Sequence, residues 1–369
     1  MSTVKQFVAM CQGSSVNFLR GFAFSAAIVL LGCQIADAQV LFVDQSVQEH
    51  VDELRSQTIQ RDSNGYVVPT AEQLSDFRSL ADGLTDAQTT ADLELLVPEA
   101  TAIGYDVVVL NDAGNTFYGL QESETVTTRR GWGSFFFRQN ATNDALVEVA
   151  HPLADINTTE ISAQVFAESQ AKGFLLAGAH RNANGFGTAD VAHLEQSIFQ
   201  EVHESFADSA TDLSVWQVHG FDIDGHPGFP TGADAVLSSG TGSVSKLVLG
   251  LDQRIDALDG DWSSYSFNAL DVDDALNIAT NEDLIGSLFS GLGGTTNVQG
   301  QHTNSIGGEF VHIELEQSFR IDGGAASRQL ISQTIANSII AAVAVPEPNS
   351  FAIVGLLSAC FIARRRRAA

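Results

Sequence analysis

The chain has 369 residues and carries 18 lysines and arginines against 45 aspartates and glutamates, a formal net charge of −27. Such a surface repels phosphate backbones, which excludes a nucleic-acid partner, and it also disfavours anionic lipid and polyanionic substrates. Hydrophobic residues make up 44% and charged residues only 17%, the balance of a globular chain long enough for one large domain or two modest ones.

The first segment carries Lys5 and Arg20, then an apolar run from Gly21 to Gly32, then small residues at Ala36-Asp37-Ala38. Residues 1–38 therefore read as a secretory signal, with the mature chain starting at Gln39. Leu30-Leu31-Gly32-Cys33 approximates a lipobox and offers a competing lipoprotein reading. The three cysteines are Cys11, Cys33 and Cys360, all in terminal segments. The body between them has no thiolate, so any metal there must be held by histidines and carboxylates.

Residues 39–100 are read as a helical N-terminal segment, with spaced apolar positions over Val47–Leu54 and Ala71–Leu84. No chemistry is evident there. A catalytic α/β domain is expected over residues 101–343. It opens with a hairpin, Tyr105–Leu110 and Thr116–Leu120, joined by the turn residues Asn111-Asp112-Ala113-Gly114-Asn115. Arg129-Arg130-Gly131 then leads to a strand at Ser134–Arg138, and this loop is either anion-facing or an ordinary surface turn.

Three short apolar runs follow, each ending in a histidine: Leu146 to His151, Phe174 to His180, and Val215 to His219. Helix-like segments separate them, one after Asp155 and one over Asp190–Phe206, which predicts a strand–helix–strand–helix–strand unit. In such sheets ligands bind beyond the carboxyl ends of the strands, so all three histidines are expected on that edge. Six of the nine histidines fall between His151 and His226, a clustering that favours a site over scattered core residues. Downstream, Ala235–Leu237 and Lys246–Leu251 read as short β-like or mixed runs. Helices are expected over Asp271–Ile278 and near Asp283–Phe289, a strand over Phe310–Glu316, and a closing helix over Ser327–Val343.

The tail reads Val345-Pro346-Glu347-Pro348, an apolar stretch from Phe351 to Ala363, then Arg364 to Arg367. Thirteen mostly apolar residues are short for a span, and the arginines would stay on the cytoplasmic side. Residues 345–369 resemble the PEP-CTERM sorting signal, which implies export to the bacterial cell surface or exterior and processing by an exosortase-type enzyme. The membrane is then met only through the terminal signals.

Zinc in hydrolases takes three histidine or carboxylate ligands and leaves one position open, and a nearby carboxylate serves as general base. His151 and His219 come from separate strand ends, and Asp155 follows His151 by four residues, where the first helical turn could aim it back at the same ion. Glu314 lies mid-strand, a costly place for a carboxylate unless it faces a polar site, and Glu316 shares its face. Arg181, after His180, could pair bidentately with a substrate carboxylate or form a structural ion pair. No G-x-S-x-G elbow occurs, which disfavours a serine hydrolase.

His151 with a following acid, His219 at a strand end and Glu314 on a late strand resemble the zinc carboxypeptidase superfamily, nearest its N-formylglutamate amidohydrolase and aspartoacylase side. The usual H-x-x-E pair is replaced by His151-x-x-x-Asp155. The resemblance implies an α/β fold with a mixed, mainly parallel sheet flanked by helices. It also implies a Zn2+ ion on His151, Asp155 and His219, with Glu314 as base and Arg181 and His180 facing a small acidic or peptide-like substrate. Two rival functions stand beside amide or peptide hydrolysis. One is a non-catalytic surface or matrix protein that keeps the fold; the other is a metal-independent phosphatase or esterase using His180 and Arg181.

Overall fold

The computed structural model describes residues 39–123, 129–225, 233–241, 245–258, 268–269 and 292–344. The strands are β1 (Leu41–Asp44), β2 (Tyr105–Asp112), β3 (Asn115–Glu122), β4 (Ser134–Arg138), β5 (Ala145–Val149), β6 (Gly173–Leu176), β7 (Ser214–Phe221), β8 (Ala233–Ser238), β9 (Asn268–Ala269) and β10 (Glu309–Glu316). They form one sheet in the order β1-β2-β3-β4-β6-β5-β7-β10-β8-β9. The expected mixed α/β sheet between helices is what forms. Its centre, β6-β5-β7-β10, is wholly parallel, whereas β2, β3 and β4 join it as an antiparallel meander. The β2–β3 hairpin turns on Ala113 and Gly114, both at positive φ, the tight two-residue geometry whose twist suits a hairpin.

The helices are α1 (Val47–Ser56), α2 (Ala71–Asp86), α3 (Thr90–Ala102), α4 (Thr158–Ser169), α5 (Ile198–Ser209), α6 (Lys246–Asp256), α7 (Val298–Ser305) and α8 (Gly324–Ala344). One face of the sheet is covered by α1, α4, α6 and α8, which pack on Val147, Val149, Trp216, Val218, Val311 and Ile313. On the opposite face α2, α3 and α5 bury Phe77, Leu93, Val202 and Phe206 against Leu146, Val215 and Phe310. Residues 39–100 thus contribute an edge strand and helices to both layers. Capping boxes at Ser46, Thr70 and Thr89 fix where α1, α2 and α3 begin.

Along the second face the central strands change character from start to end. Leu146, Val215 and Phe310 lie in one cross-strand row, and the next row is Glu148, Gln217 and His312. His219 and Glu314 pair in the row after that. The period-2 alternation of Phe310-Val-His312-Ile-Glu314-Leu315 puts every polar residue on one side and every aliphatic one on the other. The face is therefore apolar where the strands begin and polar where they end. The last helix runs back the other way: Ala342, near its end, lines a hollow with Ser214 and Glu309 at the starts of β7 and β10.

Several expectations are corrected. The segment Asp190–Phe206 is helical only from Ile198, where the Ser197 hydroxyl caps the first turn. Residues 190–197 are held as turns because Asp190 is committed to side-chain partners and Ala192 accepts from the Val298 N–H. Lys246–Leu251 belongs to helix α6, with Val248, Leu251 and Ile255 at helical spacing on the core. The second strand stops at Leu176, so His180 is not a strand end, while β7 continues two residues past His219. The helices expected over Asp271–Ile278 and near Asp283–Phe289, the residue His226 and both terminal signals lie outside the described residues.

Candidate metal centre

His151 follows β5, and the chain then makes a tight turn in which the Asp155 N–H donates to the His151 carbonyl at 3.1 Å. The Thr158 hydroxyl and N–H both donate to the Asp155 carbonyl, so the turn leads directly into α4. Asp155 thus sits just ahead of the helix rather than on its first turn. Two arginines brace this turn from outside. Arg55 donates to the Pro152 carbonyl at 3.0 Å, and Arg320 donates to the Ile156 carbonyl at 2.6 Å. The Arg320 guanidinium also donates to Leu315 and Phe221 carbonyls, joining the turn to β10 and β7. Gly220 leaves room for it, since a Cβ there would collide with the guanidinium carbon.

The result brings three of the expected residues together. His151 Nδ1 lies 3.1 Å from Asp155 Oδ2, His219 Nδ1 lies 3.1 Å from the same oxygen, and the two Nδ1 atoms are 3.0 Å apart. All three side chains are buried. The outer nitrogens are also engaged. His151 Nε2 faces Asp190 Oδ1 at 2.8 Å, and His219 Nε2 faces Gln217 Oε1 at 2.6 Å. With acceptors at both Nε2 atoms, each ring carries a proton there and turns Nδ1 inward. Three atoms 3.0–3.1 Å apart can each lie about 2.0–2.1 Å from one point off their plane, the bond lengths that zinc makes to His and carboxylate.

The electrostatics favour positive charge among these groups. Burial opposes a charge on His151, but the Asp155 and Asp190 carboxylates outweigh it and lift the ring to about 9. Burial would raise Asp155, yet His151 and His219 hold it well below the usual carboxylate range, and Asp190 is likewise held at about 2. His219 is pushed down by its burial.

A cavity of about 380 Å³ opens over these residues. Glu314 lines it, buried, with Oε2 lacking a hydrogen-bond partner. Burial and then the Asp155 charge push its carboxyl well above the ordinary range. Glu316 does not line the cavity; it accepts from the Ile223 N–H. Arg181 lines it too, with one amino group 2.5 Å from Asp190 Oδ2, so the structural ion pair is formed at the wall of the cavity. His180 is not brought into the lining; its Nδ1 accepts from the Asn182 N–H. The Arg129–Arg130 loop is structural, because Arg130 pairs with Glu122 and lies 3.7 Å over the Trp132 ring.

Two residues of this centre were not singled out from the sequence. His312 lines the cavity, buried, its ring 4.7 Å from that of His219. With His219 and Glu314 it makes a second, looser set of candidate metal-binding atoms. Its position two residues before Glu314 on one strand face was the available signal. Asp190 was hidden by the expected helix start.

Comparison with known proteins identifies the C-terminus. The PEP-CTERM protein-sorting motif matches residues 344–367. That motif marks an exported bacterial protein of the cell surface or exterior and implies processing by an exosortase-type enzyme. No curated protein matches the chain. Among solved structures it is similar to a protein provisionally called a carboxypeptidase A from Shewanella denitrificans OS-217. The two share 8% identity and a TM-score of 0.34, over 65% of this chain and 77% of that one. Among the described residues no helix is long and apolar enough to cross a membrane.

Proposed function

We propose that the protein is an exported zinc-dependent hydrolase that cleaves an amide or peptide bond beside a carboxylate. The observation that carries this reading is the triangle of His151 Nδ1, His219 Nδ1 and Asp155 Oδ2, 3.0–3.1 Å on a side, under a cavity that also holds Glu314. Two imidazole nitrogens and one carboxylate oxygen make the three-ligand set of catalytic zinc. When bound, zinc supplies a Lewis acid that polarises a carbonyl and makes water a better nucleophile.

The chain's own residues supply the remainder. Glu314 takes a proton from the attacking water and returns it to the leaving amine, a role suited to a carboxyl whose affinity for protons is raised by burial. Arg181 orients a substrate carboxylate with the N–H groups not spent on Asp190. Asp190 and Gln217 keep the two imidazoles in the tautomer that leaves Nδ1 free. The cavity volume suits a small acidic or peptide-like substrate.

The test is metal analysis of the purified chain, followed by hydrolysis of a panel of N-acyl amino acids and short peptides with free carboxyl ends. One zinc per chain, with hydrolysis lost to a chelator and restored by zinc, is expected. A chain that takes up no zinc overturns the reading. Zinc uptake without hydrolysis of any panel member would instead favour a non-catalytic surface protein.

A further inference from the structure

The polar row on the second sheet face continues inward from His219. Gln217, two residues earlier on β7, accepts from His219 Nε2 through Oε1 and donates through Nε2 to Glu148 Oε2 at 2.8 Å. Glu148 pairs directly with Gln217 across β5 and β7. Its other oxygen lies 2.8 Å from His203 Nδ1 on α5. Glu148, Gln217 and His203 are completely buried. The proposed chemistry uses Gln217 but neither Glu148 nor His203, and a buried carboxylate is too costly to be incidental.

An amide looks nearly the same when turned end for end, so something must decide which end of Gln217 faces the histidine. A carboxylate only accepts, and Glu148 therefore takes the nitrogen end. A second hold agrees with it. Asn297 caps α7 through Oδ1, which accepts from the Gly300 N–H, so its own nitrogen is the end that donates to Gln217 Oε1. With the oxygen end fixed toward His219, the His219 proton must sit on Nε2. Nδ1 is then a bare lone pair directed at His151 and Asp155.

We propose that Glu148 is a positioning residue for the metal: acting through Gln217, it holds the proton of His219 on Nε2 and so keeps Nδ1 open for a cation. This rests on the reading of His219 as a ligand. Glu148→Gln makes the prediction sharp because it preserves shape. His203 Nδ1 donates to the new amide's oxygen, so its nitrogen end must face Gln217. Gln217 then loses the Glu148 hold and keeps only those of Asn297 and Gln299. The turned-over form, which presents a donor to His219 Nε2 and moves the proton to Nδ1 where it blocks the cation, therefore gains population. Gln217→Glu in the same chain reverses this, since a carboxylate at position 217 accepts from the new amide, from Asn297 and from His219 together.

The experiment uses the purified full chain with 15N-labelled histidine, stripped of metal, and then zinc titrated against a competing chelator. In the wild type the His219 nitrogens are expected to report the Nε2–H tautomer. Glu148→Gln should shift the ring toward Nδ1–H and weaken zinc binding about 10- to 100-fold, and the Glu148→Gln/Gln217→Glu pair should recover both. A merely structural role for Glu148 predicts that the double variant is worse than the single one. Wild-type His219 protonated on Nδ1 overturns the proposal even if the variants fail to fold, and so does a Glu148→Gln chain that binds zinc as tightly as wild type. If wild type shows the Nε2–H tautomer, lost in the variant, yet takes up no zinc, the control of the tautomer stands and the metal reading is what fails.

Discussion

His151 and His219 point their Nδ1 atoms at each other across 3.0 Å, with the same Asp155 oxygen 3.1 Å from both. Two lone pairs and a carboxylate oxygen cannot rest that close without positive charge between them. In the metal-free chain one proton on His151 serves; zinc would serve all three at once. Zinc should therefore stabilise the fold by mass action, about 2.7 kcal/mol at one hundred times the dissociation constant. His219→Ala should abolish that gain, read as the zinc-induced shift in thermal midpoint, while circular dichroism stays that of a folded domain.

The same charge sets a pH dependence in the metal-free chain. His151 is raised from 6.5 to about 9 in the fold, so its contribution is fully present below pH 6.5 and is lost as pH rises through about 9. Denaturant midpoints of the stripped protein should fall across that window. Zinc displaces this proton, so its uptake should release acid and tighten with rising pH over the same range. A flat midpoint between pH 6.5 and 9 would contradict the assignment.

Glu314 should show a conflict between stability and activity. Its carboxyl is raised well above 4.5, so ionising the unfolded chain above that pH costs the folded state stability. Glu314→Gln should raise the thermal midpoint of the metal-free chain, and more so toward alkaline pH, while removing at least ~100-fold of any hydrolysis. Loss of hydrolysis with normal zinc content separates a base from a ligand.

Arg320 donates to three backbone carbonyls from three segments, the turn after His151, the end of β7 and the end of β10. Arg320→Met removes a charged donor from all three carbonyls, two of them at buried contacts, which should cost about 3 kcal/mol and lower the thermal midpoint by several degrees. Zinc affinity should fall as well, because the turn that carries Asp155 loses its brace. Unchanged zinc binding in a destabilised Arg320→Met chain would confine the arginine to a purely structural part.

Strand periodicity was the most legible feature of the sequence. Phe310–Glu316 alternates cleanly because one face meets helices and the other a polar cleft, and the same period placed Gln217 and His219 together. The triangle of His151, Asp155 and His219 was legible because two of its members end apolar runs. What stayed hidden depends on contacts distant in sequence. Helix α5 begins late because Asp190 is drawn to His151 and Arg181 rather than to its own helix. Lys246–Leu251 looks β-like until Ile255 and the sheet are present to complete its helical stripe. Short β1 is held by its parallel pairing with β2, far along the chain. His312 and Glu148 were overlooked for the opposite reason, since each sits inside a strand that reads as core until its neighbours turn out to be polar.

The direction of α8 has a consequence for how the molecule is presented. Its end lies beside the starts of β7 and β10, and the sorting motif begins there, at residue 344. The cavity lies at the other rim, where those strands finish. Ala344, the last described residue, therefore leaves the fold at the base of the sheet, away from the rim where the cleft opens, so a hold on the chain at that residue leaves the mouth of the cleft clear.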